Sequence, residues 1–99
     1  MNWRQHFTEK RDHVRIKVDT TAVLTMGIKE LPMKCLDISA SGAKLQYKGV
    51  SGLVTGDLGF IEINSAGGTT APLTASVRIC RIQPMGDFEE IGVELTNVR

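Results

Sequence analysis

Residues 14–26 alternate between apolar and polar side chains, and this period of two constrains the fold more than any other feature of the chain. One parity is apolar: Val14, Ile16, Val18, Ala22, Leu24 and Met26. The other parity carries Arg15, Lys17, Asp19 and Thr25. An alternation of this length is typical of a strand with one buried face and one face in water.

Five further stretches resemble strands and are separated by turn-forming residues: Leu31–Leu36, Ala43–Tyr47, Leu58–Ile63, Leu73–Ile82 and Ile91–Leu95. No stretch of ten or more residues has helical periodicity. The short connections favour antiparallel pairing, and a chain of 99 residues allows one domain. A small sheet avoids open edges by closing on itself. We therefore predict an all-β fold, a six-stranded antiparallel barrel.

Composition excludes several classes of protein. No apolar run approaches the roughly 20 residues that span a bilayer. The charged N-terminus has no apolar core of a secretion signal, so we predict a cytoplasmic protein without membrane insertion. Cys35 and Cys80 form no C-x-x-C pair, and too few ligands accompany them for a zinc site. We expect two buried, reduced thiols, with a disulfide between neighbouring strands left open.

The charge of the chain is concentrated at its N-terminus. Residues 1–17 hold five Lys/Arg and two Asp/Glu, which gives +3, whereas the remaining residues hold seven and nine, which gives −2. The net charge of only +1 argues against a partner that is a nucleic-acid polymer. A local basic arm on a neutral body suits a small anionic ligand, and a solvated tail is the alternative.

Arg11 and Arg15 are four residues apart, a spacing that lets both side chains face one ligand in an extended or a helical segment. Guanidinium groups bind phosphate in a bidentate manner, stack on flat rings and pair with guanine O6 and N7. Lys10 and Lys17 could add positive charge. A ligand contact by His13 or Trp3 stays open beside the simpler interpretation that each is a surface residue.

A second group of polar residues, Asp37, Ser39 and Gly42, lies in the stretch DISASG, which we predict to be a turn between two strands. Asp and Ser side chains cap turns by accepting backbone N–H groups, and glycine adopts left-handed conformations at low cost. The same residues can bind a base. A carboxylate matches the two N–H donors on the Watson–Crick edge of guanine, and a serine hydroxyl bonds a base or a phosphate.

Together, the segments RDHVR at 11–15 and DISASG at 37–42 resemble the PilZ family, which binds the bacterial second messenger cyclic di-GMP. That family is marked by R-x-x-x-R at the first strand and [DN]-x-S-x-x-G between the second and third. The segment EEIGVEL is similar to the closing strand of the family. The resemblance extends from about Lys10 to Leu95.

The resemblance implies a barrel over residues 14–99 that binds cyclic di-GMP on its outer face, with no further cofactor. Arg11 and Arg15 would contact phosphate and guanine, and Asp37, Ser39 and Gly42 the other base. Residues 1–13 would form a flexible arm that closes over the ligand and signals to a protein effector.

Two departures from the family pattern matter. Lys10 stands where many members have a further arginine, so one or two bound ligands remain open. The chain also ends soon after its last predicted strand, so we expect little or no C-terminal helix.

Two other functions remain as alternatives. One is a PilZ-like domain that binds proteins without any ligand. The other is a nucleic-acid-binding barrel of the OB type, which needs aromatic platforms along a basic groove, whereas this chain has five scattered aromatic residues. An enzyme is not expected, because the sequence contains no nucleophile–base pair and no phosphate-binding loop of the Walker type.

Overall fold

The computed structural model of the chain describes residues 15–65 and 71–98, which form six β-strands. The strands are β1 (Ile16–Met26), β2 (Lys29–Ile38), β3 (Gly42–Lys48), β4 (Leu58–Ile63), β5 (Leu73–Pro84) and β6 (Phe88–Thr96). The predicted number of strands is confirmed, and β4 has the predicted bounds. Strands β2, β3, β5 and β6 extend by one or a few residues beyond the prediction, whereas β1 begins at Ile16 and ends, as predicted, at Met26. No helix occurs in the described ranges.

The strands close into a barrel in the order β1-β2-β3-β6-β5-β4, and every neighbouring pair is antiparallel. Pairing of β1 with β4 completes the ring of strands, and Thr25 lies opposite Phe60 in this pair. Closure pairs both edges of every strand, which removes the exposed edges that an open six-stranded sheet would leave. The predicted fold class is therefore confirmed.

The interior of the barrel is filled by the apolar parity of each strand. The fully buried larger side chains are Leu24, Leu45, Ile79, Ile91 and Cys35. They belong to a cluster that also contains Ala22, Leu31, Met33, Ala43, Ile61, Ile63, Ala75, Val77, Val93 and Leu95. These residues are branched, small or flexible, and they interdigitate across a narrow barrel. Burial of this cluster is the main term that stabilises the fold.

The turn after β2 begins later than predicted. The turn after β2 was expected to begin at Asp37, but β2 continues to Ile38, so Asp37 lies inside the strand. The predicted arm, residues 1–13, and Val14 lie outside the described residues.

Within residues 15–65 and 71–98, no helix is long and apolar enough to cross a membrane, and no group of three potential metal ligands occurs.

The prediction that both cysteines are buried is wrong for one of them. Cys35 is fully buried in the core, whereas Cys80 is exposed, and both thiols are free. The reason is the alternation of β5. Val77 and Ile79 point inward, so the next residue points outward whatever its chemistry. Burial, and secondarily the negative charge of Asp37, raises the pKa of the Cys35 thiol to about 11.

Strands β3 and β6 approach each other closely at Gly42. A Cβ atom at this position would lie 2.7 Å from the carbonyl oxygen of Val93, which is closer than real Cβ contacts allow. Gly42 is not among the described residues with positive φ, so its conformation is open to any residue. The absence of a side chain is needed here for a close approach of two backbones, and not for a left-handed turn.

We predict that only one thiol of the folded protein reacts quickly with a disulfide reagent at pH 8. Cys80 is exposed, whereas Cys35 is enclosed and mostly protonated below its raised pKa. Timed reaction with dithionitrobenzoate should give one fast thiol in buffer and two in denaturant. Cys80→Ser should abolish the fast phase, and two fast thiols in the native wild-type protein would contradict the position of Cys35.

We predict that Gly42→Ala lowers the free energy of unfolding by about 1–3 kcal/mol, because β3 and β6 must separate to admit the methyl group. Urea denaturation measures this loss. Gly92→Ala is the matched control, since its Cβ would make an ordinary contact at 3.7 Å with Cβ of Arg81. Equal stability of the two variants would show that β3 and β6 are not constrained at Gly42.

Candidate functional site

Asp37 lies on the outer face of the barrel although its position in the alternation of β2 points inward. Leu31, Met33 and Cys35 share its parity and are buried in the core. The pairing with β3 shifts between Cys35 and Asp37, so that Asp37 lies opposite Lys44. Lys44 points outward because it is flanked by two buried residues of β3. An irregularity of this kind turns a side chain to the other face of a sheet.

Two cations compensate the Asp37 carboxylate. Nη1 of Arg15 donates to Oδ1 at 2.5 Å, and Nζ of Lys44 lies 3.9 Å from Oδ2. The Asp37 side chain is only 12% exposed, whereas that of Arg15 is 44% exposed. A carboxylate that has lost most of its water needs such partners to remain charged. The pair therefore joins a well-enclosed acceptor to a cation that can move into solvent.

Ser39 organises the turn between β2 and β3. Its hydroxyl accepts a hydrogen bond from the N–H of Gly42 at 3.2 Å and lies 3.3 Å from the Gly42 carbonyl oxygen, to which it donates. The backbone N–H of Ser39 also donates to that carbonyl, at 2.8 Å. The N–H of Leu95 on β6 donates to the Ser41 carbonyl at 2.9 Å. Ser39 thus has the capping role expected for it, and the bond between Leu95 and Ser41 connects the turn to β6. The Asp37 carboxylate instead contacts Arg15 and Lys44.

A groove of about 420 Å³ opens beside this turn on the outer face of β3, β6 and β5. Arg15, Ser39 and Gly42 line one side of it, and Arg78 and Arg81 of β5 line the other. Nε and Nη2 of Arg78 contact Oε1 of Glu94 at 3.0 and 2.9 Å, and this hydrogen-bonded carboxylate raises the pKa of Arg78. The groove is therefore rich in guanidinium groups, one of which is already neutralised.

A larger concavity, of about 740 Å³, lies elsewhere on the barrel. It is lined by residues of β1, β4 and β5, among them Val23, Phe60 and Thr74, and by the carboxylates Glu30 and Glu62. None of the motif residues described here contributes to it. A space flanked by two carboxylates repels anions, so the smaller groove is the better candidate for an anionic ligand.

The structure brings together four of the six residues predicted for the site. Arg15, Ser39 and Gly42 line the groove, and Asp37 is bonded to Arg15 at its edge. The other two, Lys10 and Arg11, lie outside the described residues.

Four neighbours of the site were not predicted from the sequence: Lys44, Arg78, Arg81 and Gly92. A signal for Arg81 was present. The apolar residues of β5 have odd numbers up to Ile79 and even numbers at Cys80 and Ile82, a change of parity that breaks the alternation. On β2 the apolar positions change parity in the same way around Asp37, from Met33 and Cys35 to Leu36 and Ile38.

Comparison with known proteins assigns this barrel to a family. No curated protein sequence matches the chain. A solved structure, that of the Bacillus subtilis inhibitor of motility MotI/DgrA, superposes with a TM-score of 0.76 over 91% of this chain at 16% identity. This chain corresponds to 44% of the length of that protein, and the likeness shows a shared fold. The model of the PilZ domain matches residues 9–99. The chain therefore belongs to the PilZ domain family.

Proposed function

We propose that this protein is a receptor for cyclic di-GMP which binds the ligand in the groove beside Arg15 and Asp37. The observation that carries the proposal is the ion pair of these two motif residues on the outer face of the barrel, beside an arginine-lined groove. Cyclic di-GMP offers two phosphates and two guanine bases. The groove offers guanidinium groups for the phosphates, and Asp37 offers a carboxylate for a base.

Asp37 suits guanine because its carboxylate has two acceptor oxygens at the edge of the groove. The Watson–Crick edge of guanine presents the N1–H and N2–H donors side by side, and a carboxylate accepts both. Adenine presents an acceptor at N1, which would face a carboxylate oxygen unfavourably. Enclosure of Asp37 strengthens this discrimination, because an unmatched polar group in such a place loses its water without gaining a hydrogen bond.

Arg15 donates a hydrogen bond to the Asp37 carboxylate in the structure, as guanine would in the complex. A guanidinium group also presents adjacent N–H donors, and Nη1 of Arg15 already bonds Oδ1. Ligand binding is then an exchange in which guanine replaces Arg15 at the carboxylate. The released guanidinium turns to a phosphate or to guanine O6 and N7. Lys44 continues to compensate Asp37 during the exchange.

This exchange also supplies a signal. Movement of Arg15 pulls on the segment before it, which contains Lys10 and Arg11, and these cations add contacts to the phosphates. Ordering a segment costs roughly 1–2 kcal/mol per residue, so several charge-assisted bonds must form before it closes over the ligand. A protein effector in the cytoplasm would recognise the closed form. The protein acts in this account as a ligand-dependent adaptor and performs no catalysis.

We predict that calorimetry detects cyclic di-GMP binding with a Kd in the micromolar range or tighter. Arg15→Ala should weaken binding at least tenfold, since a hydrogen bond between charged groups contributes about 1.5–3 kcal/mol. Asp37→Ala should weaken it by a similar factor through the loss of the guanine acceptor.

Lys29→Ala is the matched control, because it also removes one cation but lies beside the β1–β2 hairpin, away from the groove. Its affinity should stay within about twofold of the wild type. Wild-type protein that gives no binding heat would contradict the receptor function and favour a ligand-independent interaction module. Tight binding by Arg15→Ala would leave a receptor but overturn the role of the ion pair.

A further inference from the structure

Five positions from five strands form one continuous row across the outer face of the barrel. Cross-strand pairing places Lys17 opposite Asp37, Asp37 opposite Lys44, Lys44 opposite Gly92, and Gly92 opposite Arg81. Opposed residues of neighbouring strands project to the same face. The motif aspartate therefore lies between two lysines near one end of the row, and an arginine of β5 forms the other end.

Arg81 reaches this face through a second irregularity of pairing. Ile79 lies opposite Val93, but the next paired residues are Arg81 and Gly92, so Cys80 is the extra residue. Without the shift, Arg81 would share the inward parity of Val77 and Ile79. Ile82 instead packs against the core. The bulge therefore redirects a cation from the interior to the groove, as the irregularity at Asp37 redirects an anion.

The ion pair between Arg81 and Glu90 is long. Its Nη2 lies 3.9 Å from Oε1 of Glu90, which is beyond hydrogen-bond distance, and its side chain is 59% exposed. Arg78, which lines the same side of the groove, is held by Glu94 at 2.9 Å. The guanidinium of Arg81 is consequently the one on β5 that can turn to a ligand without first breaking a short ion pair.

Gly92 lies between Lys44 and Arg81 in the row, and because it has no side chain the groove is deeper there. Its φ is not among the positive values of the described residues, and a Cβ added there would meet nothing closer than Cβ of Arg81 at 3.7 Å. A Cβ atom is therefore sterically tolerated at this position, and a side chain built from it would project into the groove that Gly92 lines. The space above Gly92 is open to a ligand that spans from Asp37 to Arg81.

We infer that Arg81 forms a second anion subsite, which binds a phosphate of the cyclic dinucleotide at the end of the groove opposite Asp37. Three strand spacings separate β2 from β5, roughly 14 Å at about 4.8 Å each, so one ligand molecule must extend across β3 and β6 to reach both residues. Glu94, which faces the same groove, limits the affinity by neutralising Arg78 and by repelling the phosphate.

The inference rests on the proposed function and is tested by calorimetric titration of the full chain with cyclic di-GMP. Arg81→Ala should weaken binding about tenfold relative to wild type, since it removes a charge-assisted hydrogen bond. Gly92→Val, which places a β-branched side chain on the floor of the groove, should weaken it further while the urea midpoint stays near that of the wild type. Lys29→Ala controls for loss of one cation.

Glu94→Gln separates a ligand subsite from a merely structural role. Removal of its charge frees Arg78 and should tighten binding several-fold, whereas Glu62→Gln on β4 should change nothing. Wild-type affinity in Arg81→Ala and Gly92→Val would overturn the subsite and leave the receptor function intact. Unchanged or weaker binding by Glu94→Gln would overturn the proposed effect of Glu94. Absence of binding by the wild type would overturn both the receptor function and the subsite.

Discussion

The site depends on two places where the alternation of a strand slips by one residue. In a small barrel every inward position must be apolar, so a charged residue with inward parity has to be turned outward or be lost from the fold. Register shifts at Asp37 on β2 and at Arg81 on β5 turn both side chains to the outer face. The two shifts lie on one cross-strand row, with Lys44 and Gly92 between them. A register shift thus positions the charged residue at each end of the groove.

Charged residues of the proposed site are already paired within the protein. Asp37 is enclosed and bonded to Arg15, and Arg78 is bonded to Glu94. An enclosed carboxylate without a partner would lower the stability of the barrel, so the bond from Arg15 keeps Asp37 compatible with folding. The Arg78–Glu94 pair is exposed and lies at the surface. In the proposed exchange the same pairs would set a threshold for binding, because a ligand must replace the contacts that it breaks. The proposed exchange would also select for guanine, since a base that cannot donate twice leaves Asp37 without its partner.

Much of the fold could be predicted from the sequence, because period-two alternation and turn residues are local signals. The six strands, the closed barrel and the bounds of β4 followed from them. The motif residues Arg15, Asp37, Ser39 and Gly42 were also identified, although the reason for glycine at position 42 became clear only from its distance to Val93. The position of Cys80 was mispredicted because residue type was given more weight than strand parity.

The remainder of the site depends on pairing between distant strands. Nothing local to Arg81 shows that Gly92 and Lys44 lie beside it, since register is a property of three strands together. The apolar pattern changes parity at Cys35–Leu36 and at Ile79–Cys80, and these two changes were visible in the sequence beside Asp37 and Arg81. Such a change of parity beside a charged residue is a signal for an outward-turned side chain in other small barrels.

The most direct measurement for this account is an NMR titration of ¹⁵N-labelled protein with cyclic di-GMP, followed at backbone amides and arginine Nε groups. The exchange at Asp37 predicts that the largest changes occur at Arg15, Asp37 and Gly42, with Arg81 Nε shifting in the same titration. Residues around the larger concavity, such as Thr25 and Phe60, should stay unchanged. Changes centred on Phe60 with an unmoved Arg15 would place the ligand on the other face and contradict the account.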